Sequence, residues 1–89
     1  MHIVKRRGHK EKFDERKLYA SVYAACVLTE SMKEKECEKE ANTVTKQVKK
    51  WMSSKKEVSS EDIFRIAAQS LRKHHKDAAF MYETHRDVS

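Results

Sequence analysis

Proline is absent from this chain and glycine occurs once, at Gly8. These two residues are the strongest breakers of regular backbone. A chain nearly without them has few irregular loops and runs mostly as helix. The apolar residues agree. Leu18, Val22, Ala25 and Cys26 recur at helical spacing after Asp14, an N-cap residue type, which predicts a first helix from Glu15 to Leu28. Cys37, Ala41, Val44, Val48 and Trp51 form a second stripe, flanked by Met52 and opposed by Lys, Glu, Gln and Thr. Ser31 is a cap candidate for that helix, with Glu34 at the capping-box spacing. Ser53-Ser54-Lys55-Lys56 interrupts the pattern, and Glu57-Val58-Ser59 reads as a short extended piece. Ser59 or Ser60 then caps a third helix that buries Ile63, Ile66, Ala67, Ser70 and Leu71. Arg72 to Lys76 sets cations at its C-terminus, and Asp77 opens a last helix through Ala78, Ala79, Met81, Tyr82 and His85.

With 89 residues, the chain is read as one domain over 1–89. A domain of that size buries roughly 60% of its unfolded surface. Its 38% of hydrophobic residues suffices for a small core despite an equal share of charged ones. The net charge of +6 favours anionic partners: nucleotide, nucleic acid or a membrane surface. Beyond residue 17 the acidic residues are interspersed with the basic ones, as on an ordinary solvated surface. Cys26 and Cys37 form no Cys-x-x-Cys pair and sit within helical patterns, so burial is expected rather than a disulfide or a metal site. The histidines give no metal-binding spacing. No signal peptide, lipidation motif or long apolar run is present, so a soluble, cytoplasmic protein without a membrane partner is expected.

The opening segment carries the functional signal. His2 to Arg7 alternates weakly as a strand, Gly8-His9 makes a turn, and Lys10 to Phe13 returns antiparallel. A lone ribbon is marginal in water, so it packs on the helices, with Ile3 and Phe13 as inward anchors. The predicted fold is α+β and mostly helical: an N-terminal β-hairpin on a bundle of about four helices. Lys5 and Arg6 point to opposite faces of the strand, and Lys5 shares the face of Ile3. Lys17 adds a charge in the first turn of the first helix. A lysine, an arginine fork and a helix end together suit a polyphosphate. No nucleophile–base arrangement and no glycine-rich phosphate loop accompanies them, so binding is expected and enzymatic hydrolysis is not.

The string Val4-Lys5-Arg6-x-Gly8, followed by Glu11-x-Phe13-Asp14-x-x-Lys17-Leu18, resembles the ATP-cone family. Those are nucleotide-binding regulatory domains of ribonucleotide reductases and of bacterial repressors of reductase genes. Val58-Ser59-Ser60-Glu61-Asp62-Ile63 matches a later family segment, and Asp77-Ala78-Ala79-Phe80-Met81-Tyr82 through Arg86 resembles its closing helix. The order of elements is also that of the family. The resemblance implies ATP or dATP as ligand, with Mg accompanying the nucleotide, and no chemistry upon it. Binding is expected to alter self-association or contact with a ribonucleotide-reductase-related protein partner. Adenine is expected against Ile3 and Val4, the phosphates at Lys5, Arg6 and Lys17, and base or ribose contacts at Glu11 and Asp14. Asp14 is an N-cap, a ligand contact, or both; Ser60 is a cap or an extra phosphate donor. Arg7 replaces a family Asp, and Phe64 stands where some relatives carry a polar residue. Zinc-ribbon cysteines and a reductase catalytic portion are both lacking, so a free-standing cone is expected. The alternative is a small basic nucleic-acid-binding or transcription-regulating module. It rests on charge alone, without a helix-turn-helix or zinc signature.

Overall fold

The computed structural model describes residues 2–4 and 10–84, with side chains from residue 13 onward. The order is β1 (His2–Val4), β2 (Lys10–Lys12), α1 (Glu15–Leu28), α2 (Glu34–Met52), β3 (Val58–Ser59), α3 (Ser60–His74) and α4 (Lys76–Thr84). The mostly helical α+β architecture expected from the sequence is the one observed.

α1 has the predicted bounds. Asp14 is its N-cap, and the predicted stripe of Leu18, Val22, Ala25 and Cys26 is its buried face. Thr29 ends it: its N–H bonds the Cys26 carbonyl at 3.0 Å and its hydroxyl donates to the Ala25 carbonyl at 3.0 Å. The start of α2 differs from expectation. Ser31 does not cap it; the cap is Lys33, with no side-chain hydrogen bond. The Met32 N–H closes a turn onto the Thr29 carbonyl at 2.9 Å, and the Met32 side chain packs on the core. That anchor holds the chain out of helix past Ser31, and Lys33 is extended. A serine at 33 would stand three residues before Glu36 and complete a capping box. Lys33→Ser is therefore expected to stabilise the protein by about 1 kcal/mol, read from urea unfolding.

The α2 stripe ends on Met52, which is buried, while Trp51 is only half-buried. The buried Thr45 widens the inward face on the side of Met52, at 3.6 residues per turn, and away from Trp51. On α3, Ala68 is buried and Ile66 half-buried, the reverse of expectation for that pair. α4 packs beside α3 and widens its covered face; Phe64 of α3 stacks on Tyr82 of α4 at 5.0 Å between centroids. α4 starts at Lys76, one residue earlier than expected. His75 separates the two helices, and its Nδ1 accepts the Ala78 N–H at 3.3 Å. His85 lies outside the described residues. Leu71, Val22, Val44 and Val48 form the centre of the core, fully enclosed among α1, α2 and α3.

The two strands pair antiparallel as expected, but with Val4 rather than Arg7 opposite Lys10, in the register His2↔Lys12, Ile3↔Glu11 and Val4↔Lys10; the Gly8-His9 turn lies outside the described residues. The predicted extended piece adds what local pattern did not show. β3 pairs in parallel with β1, Ile3↔Val58 and Val4↔Ser59, so the ribbon is part of a three-stranded sheet ordered β2-β1-β3. That third strand, with Val58 buried in the core, ties the ribbon to the helices. Phe13 packs against the core as expected; the Ile3 side chain lies outside the described ones.

Candidate functional site

Three element ends meet at one end of the bundle. α2 and α3 run antiparallel: the Ser70 hydroxyl of α3 donates to Gln47 Oε1 of α2, and His74 Nδ1 lies 3.4 Å from Glu40 Oε2. The start of α3 therefore lies toward the C-terminal end of α2. The start of α1 is there too, since Glu15 Oε2 lies 2.9 Å from Lys49 Nζ in the last turn of α2. β3 runs directly into α3, and its last residue, Ser59, is both the partner of Val4 and the α3 N-cap.

The cation supply at this end is large. Lys17, Lys50 and Lys56 are exposed; Lys49 is paired with Glu15, and Lys55 Nζ lies 5.4 Å from the Trp51 ring centroid. Trp51 and Lys55 were not marked by sequence reasoning as neighbours of a site; their four-residue spacing at a helix end was the available signal.

The helix ends themselves are already capped. Asp14 Oδ1 accepts the Arg16 N–H at 3.0 Å, and the Asp14 carbonyl accepts the Lys17 N–H at 3.1 Å. That backbone bond from Arg16 holds the Asp14 carboxyl below its ordinary range, so the group stays ionised. At α3, Ser59 Oγ accepts the Asp62 N–H at 3.0 Å, and Asp62 Oδ2 accepts the Ser59 N–H at 3.4 Å. This is a complete capping box. Ser60 is not the cap; it is the first helical residue, half-buried, because Ser59 takes the extended cap conformation as the last residue of β3. Some of the α1 N–H groups expected to assist Lys17 are already taken. Those of Arg16 and Lys17 are engaged by Asp14, which leaves the side-chain charge of Lys17 as its main contribution.

Asp62 supplies a pH handle. The Ser59 hydroxyl bond, then the Ser59 N–H, holds its carboxyl below the ordinary value of 3.8. A depressed carboxyl contributes stability that is present above its unfolded value and is lost as pH falls through the folded one. The α3 start is expected to loosen on acidification below about pH 4, with Asp62→Asn flattening that acid limb in thermal melts. Ser59→Ala is expected to cost about 1 kcal/mol at neutral pH.

Beside the α3 start, a groove of about 360 Å³ runs between α3 and α4, lined by Phe64, Arg65, Arg72 and Glu83 among others. Its arginines are committed: Arg65 Nη2 lies 3.3 Å from Asp62 Oδ1, and Arg72 is paired with Glu83. Phe64, stacked on Tyr82, serves the α3–α4 packing. Among the described residues no group of three or more His, Cys, Asp or Glu side chains is placed to hold a metal ion, and no helix is long and apolar enough to cross a membrane.

Of the sequence-predicted site residues, the structure places Asp14 and Lys17 at the start of α1 and Ser60 at the start of α3, at the same bundle end. Lys5 and Arg6 lie outside the described residues. For Ile3, Val4 and Glu11 the strand positions are described and the side chains are not. A search among curated proteins gave no significant match. The family model for the ATP cone domain matches residues 1–87, nearly the whole chain. With that match joined to the helical α+β architecture, the chain belongs to the ATP-cone family of nucleotide-binding regulatory domains.

Proposed function

We propose that this protein is a single-domain, cytoplasmic sensor of ATP or dATP that catalyses no reaction and acts by changing self-association or contact with a protein partner, in the setting of ribonucleotide reduction. The observation that carries this reading is the shared bundle end. There β1 meets Ser59, and α1 and α3 both begin. Lys5 and Arg6 follow Val4 directly in the chain, and Val4 pairs with the residue that caps α3. The triphosphate is held by Lys5, Arg6 and Lys17, with Ser60 as a hydroxyl donor. Because the caps already occupy helix N–H groups, binding relies on side-chain cations, and Mg accompanies the nucleotide. Adenine lies against Ile3 and Val4. Glu11 and an outward oxygen of Asp14 accept from ribose or amino hydrogens.

Titration calorimetry with ATP and dATP tests this reading. Binding is expected in the millimolar range or tighter, weakened about tenfold or more by Lys5→Ala and by Lys17→Ala. Heat absent at millimolar nucleotide, or variants that bind as the parent does, would overturn it. Sedimentation with and without nucleotide reads the switch. Unchanged sedimentation, with no partner captured more strongly, rejects the regulatory half and leaves the binding half standing.

A further inference from the structure

At the end of the bundle remote from the nucleotide, Cys26 of α1 and Cys37 of α2 are both free and almost wholly enclosed, at 0% and 1% exposure. Cys26 stands two residues before the end of α1 and Cys37 in the first turn of α2, so the antiparallel α1–α2 hairpin carries both into one core cluster. Cys37 stands in the opening turn of α2, the helix whose Lys33 cap makes no side-chain hydrogen bond. A helix start without a cap is the segment that opens first. We propose that Cys26 and Cys37 are a convertible dithiol, closing to an α1–α2 disulfide when a small-molecule disulfide reaches them through the opened first turn of α2.

The exchange balances. On opening, Cys37 loses its proton and attacks one sulfur of the reagent; that S–S bond breaks and one thiolate leaves. Deprotonated Cys26 then attacks the Cys37 sulfur and expels the second thiolate. Two electrons pass from the dithiol to the reagent, and the two protons end on the two released thiols. The closed protein resists this, because burial pushes the Cys26 thiol up to about 12 and raises that of Cys37 as well. Reaction therefore scales with the population of the opened turn. The new bond spans the α1–α2 connection and restricts the unfolded chain.

Incubating the full chain with oxidised glutathione, quenching in acid and mapping peptides by mass spectrometry tests this. The expected product is monomeric, lighter by two hydrogens, joined Cys26 to Cys37, and melts about 10 °C higher. Cys26→Ala is expected to stop at a glutathione adduct on Cys37. Lys33→Ser, which caps the turn, is expected to slow closure several-fold. Lasting adducts on the parent chain, intermolecular dimers, or thiols inert until urea unfolds the protein would each overturn the proposal. So would Lys33→Ser closing as fast as the parent.

Discussion

Leu71→Ala is expected to destabilise the protein by about 2–5 kcal/mol, the range for deleting a buried leucine side chain. Leu71 has no exposed surface and is the largest of the fully enclosed side chains among the described residues. It sits on α3, inside the layer formed with Val22 of α1 and Val44 and Val48 of α2. All three helices lose contacts together, and rigid neighbours cannot collapse into the void. A domain of this size has about 5–15 kcal/mol in total, so the loss removes much of it. The melting temperature is expected to fall by about 10–30 °C. Leu71→Met, which keeps the volume, is expected to cost less than about 1.5 kcal/mol. Urea unfolding with an unchanged slope checks both, since only the midpoint should move.

The second large effect is stabilisation by nucleotide. A ligand that binds only the folded state, at a hundred times its dissociation constant, adds about 2.7 kcal/mol. For a domain of this length that is a rise of about 10–20 °C in melting temperature. Lys17 is exposed, so Lys17→Ala should leave the unliganded melt within about 0.5 kcal/mol of the parent. Lys5→Ala is expected to behave likewise. Both variants should lose most of the ATP-induced rise at the concentration that saturates the parent. A parent melt indifferent to ATP and dATP, in a protein otherwise folded, would count directly against the sensor reading. A rise that persists in both variants would instead relocate the phosphates. Arg6→Lys separates charge from fork geometry: a lost rise there indicates bidentate phosphate contact rather than a point charge.

The two helices best read from sequence were those with unambiguous local chemistry. Asp14 before a clean apolar period fixed both bounds of α1, and two serines ahead of Glu61 and Asp62 marked the opening of α3, without deciding between Ser59 and Ser60. Ser31 and Glu34 offered the same signature and misled, because Met32 is held on the core and keeps the chain extended for two residues more. Trp51 was favoured over Met52 by continuing the alternating steps of four and three, yet the buried Thr45 turns the inward face toward Met52. The parallel pairing of β3 with β1 joins residues more than fifty positions apart. No local pattern encodes such a contact; Glu57-Val58-Ser59 showed only an extended piece. For the site, the motif gave Asp14, Lys17 and Ser60 on separate stretches of chain, and their common end followed only from how α1, α2 and α3 pack. The commitment of helix N–H groups to Asp14 and Ser59 is by contrast local, between residues two and three apart, and follows from the cap residue types.

Ser59 has two masters. Its backbone belongs to the sheet beside Val4 while its hydroxyl secures the first coil of α3. Any displacement of the leading strand would therefore bear on the first turn of α3, the helix whose Phe64 stacks on Tyr82 of α4.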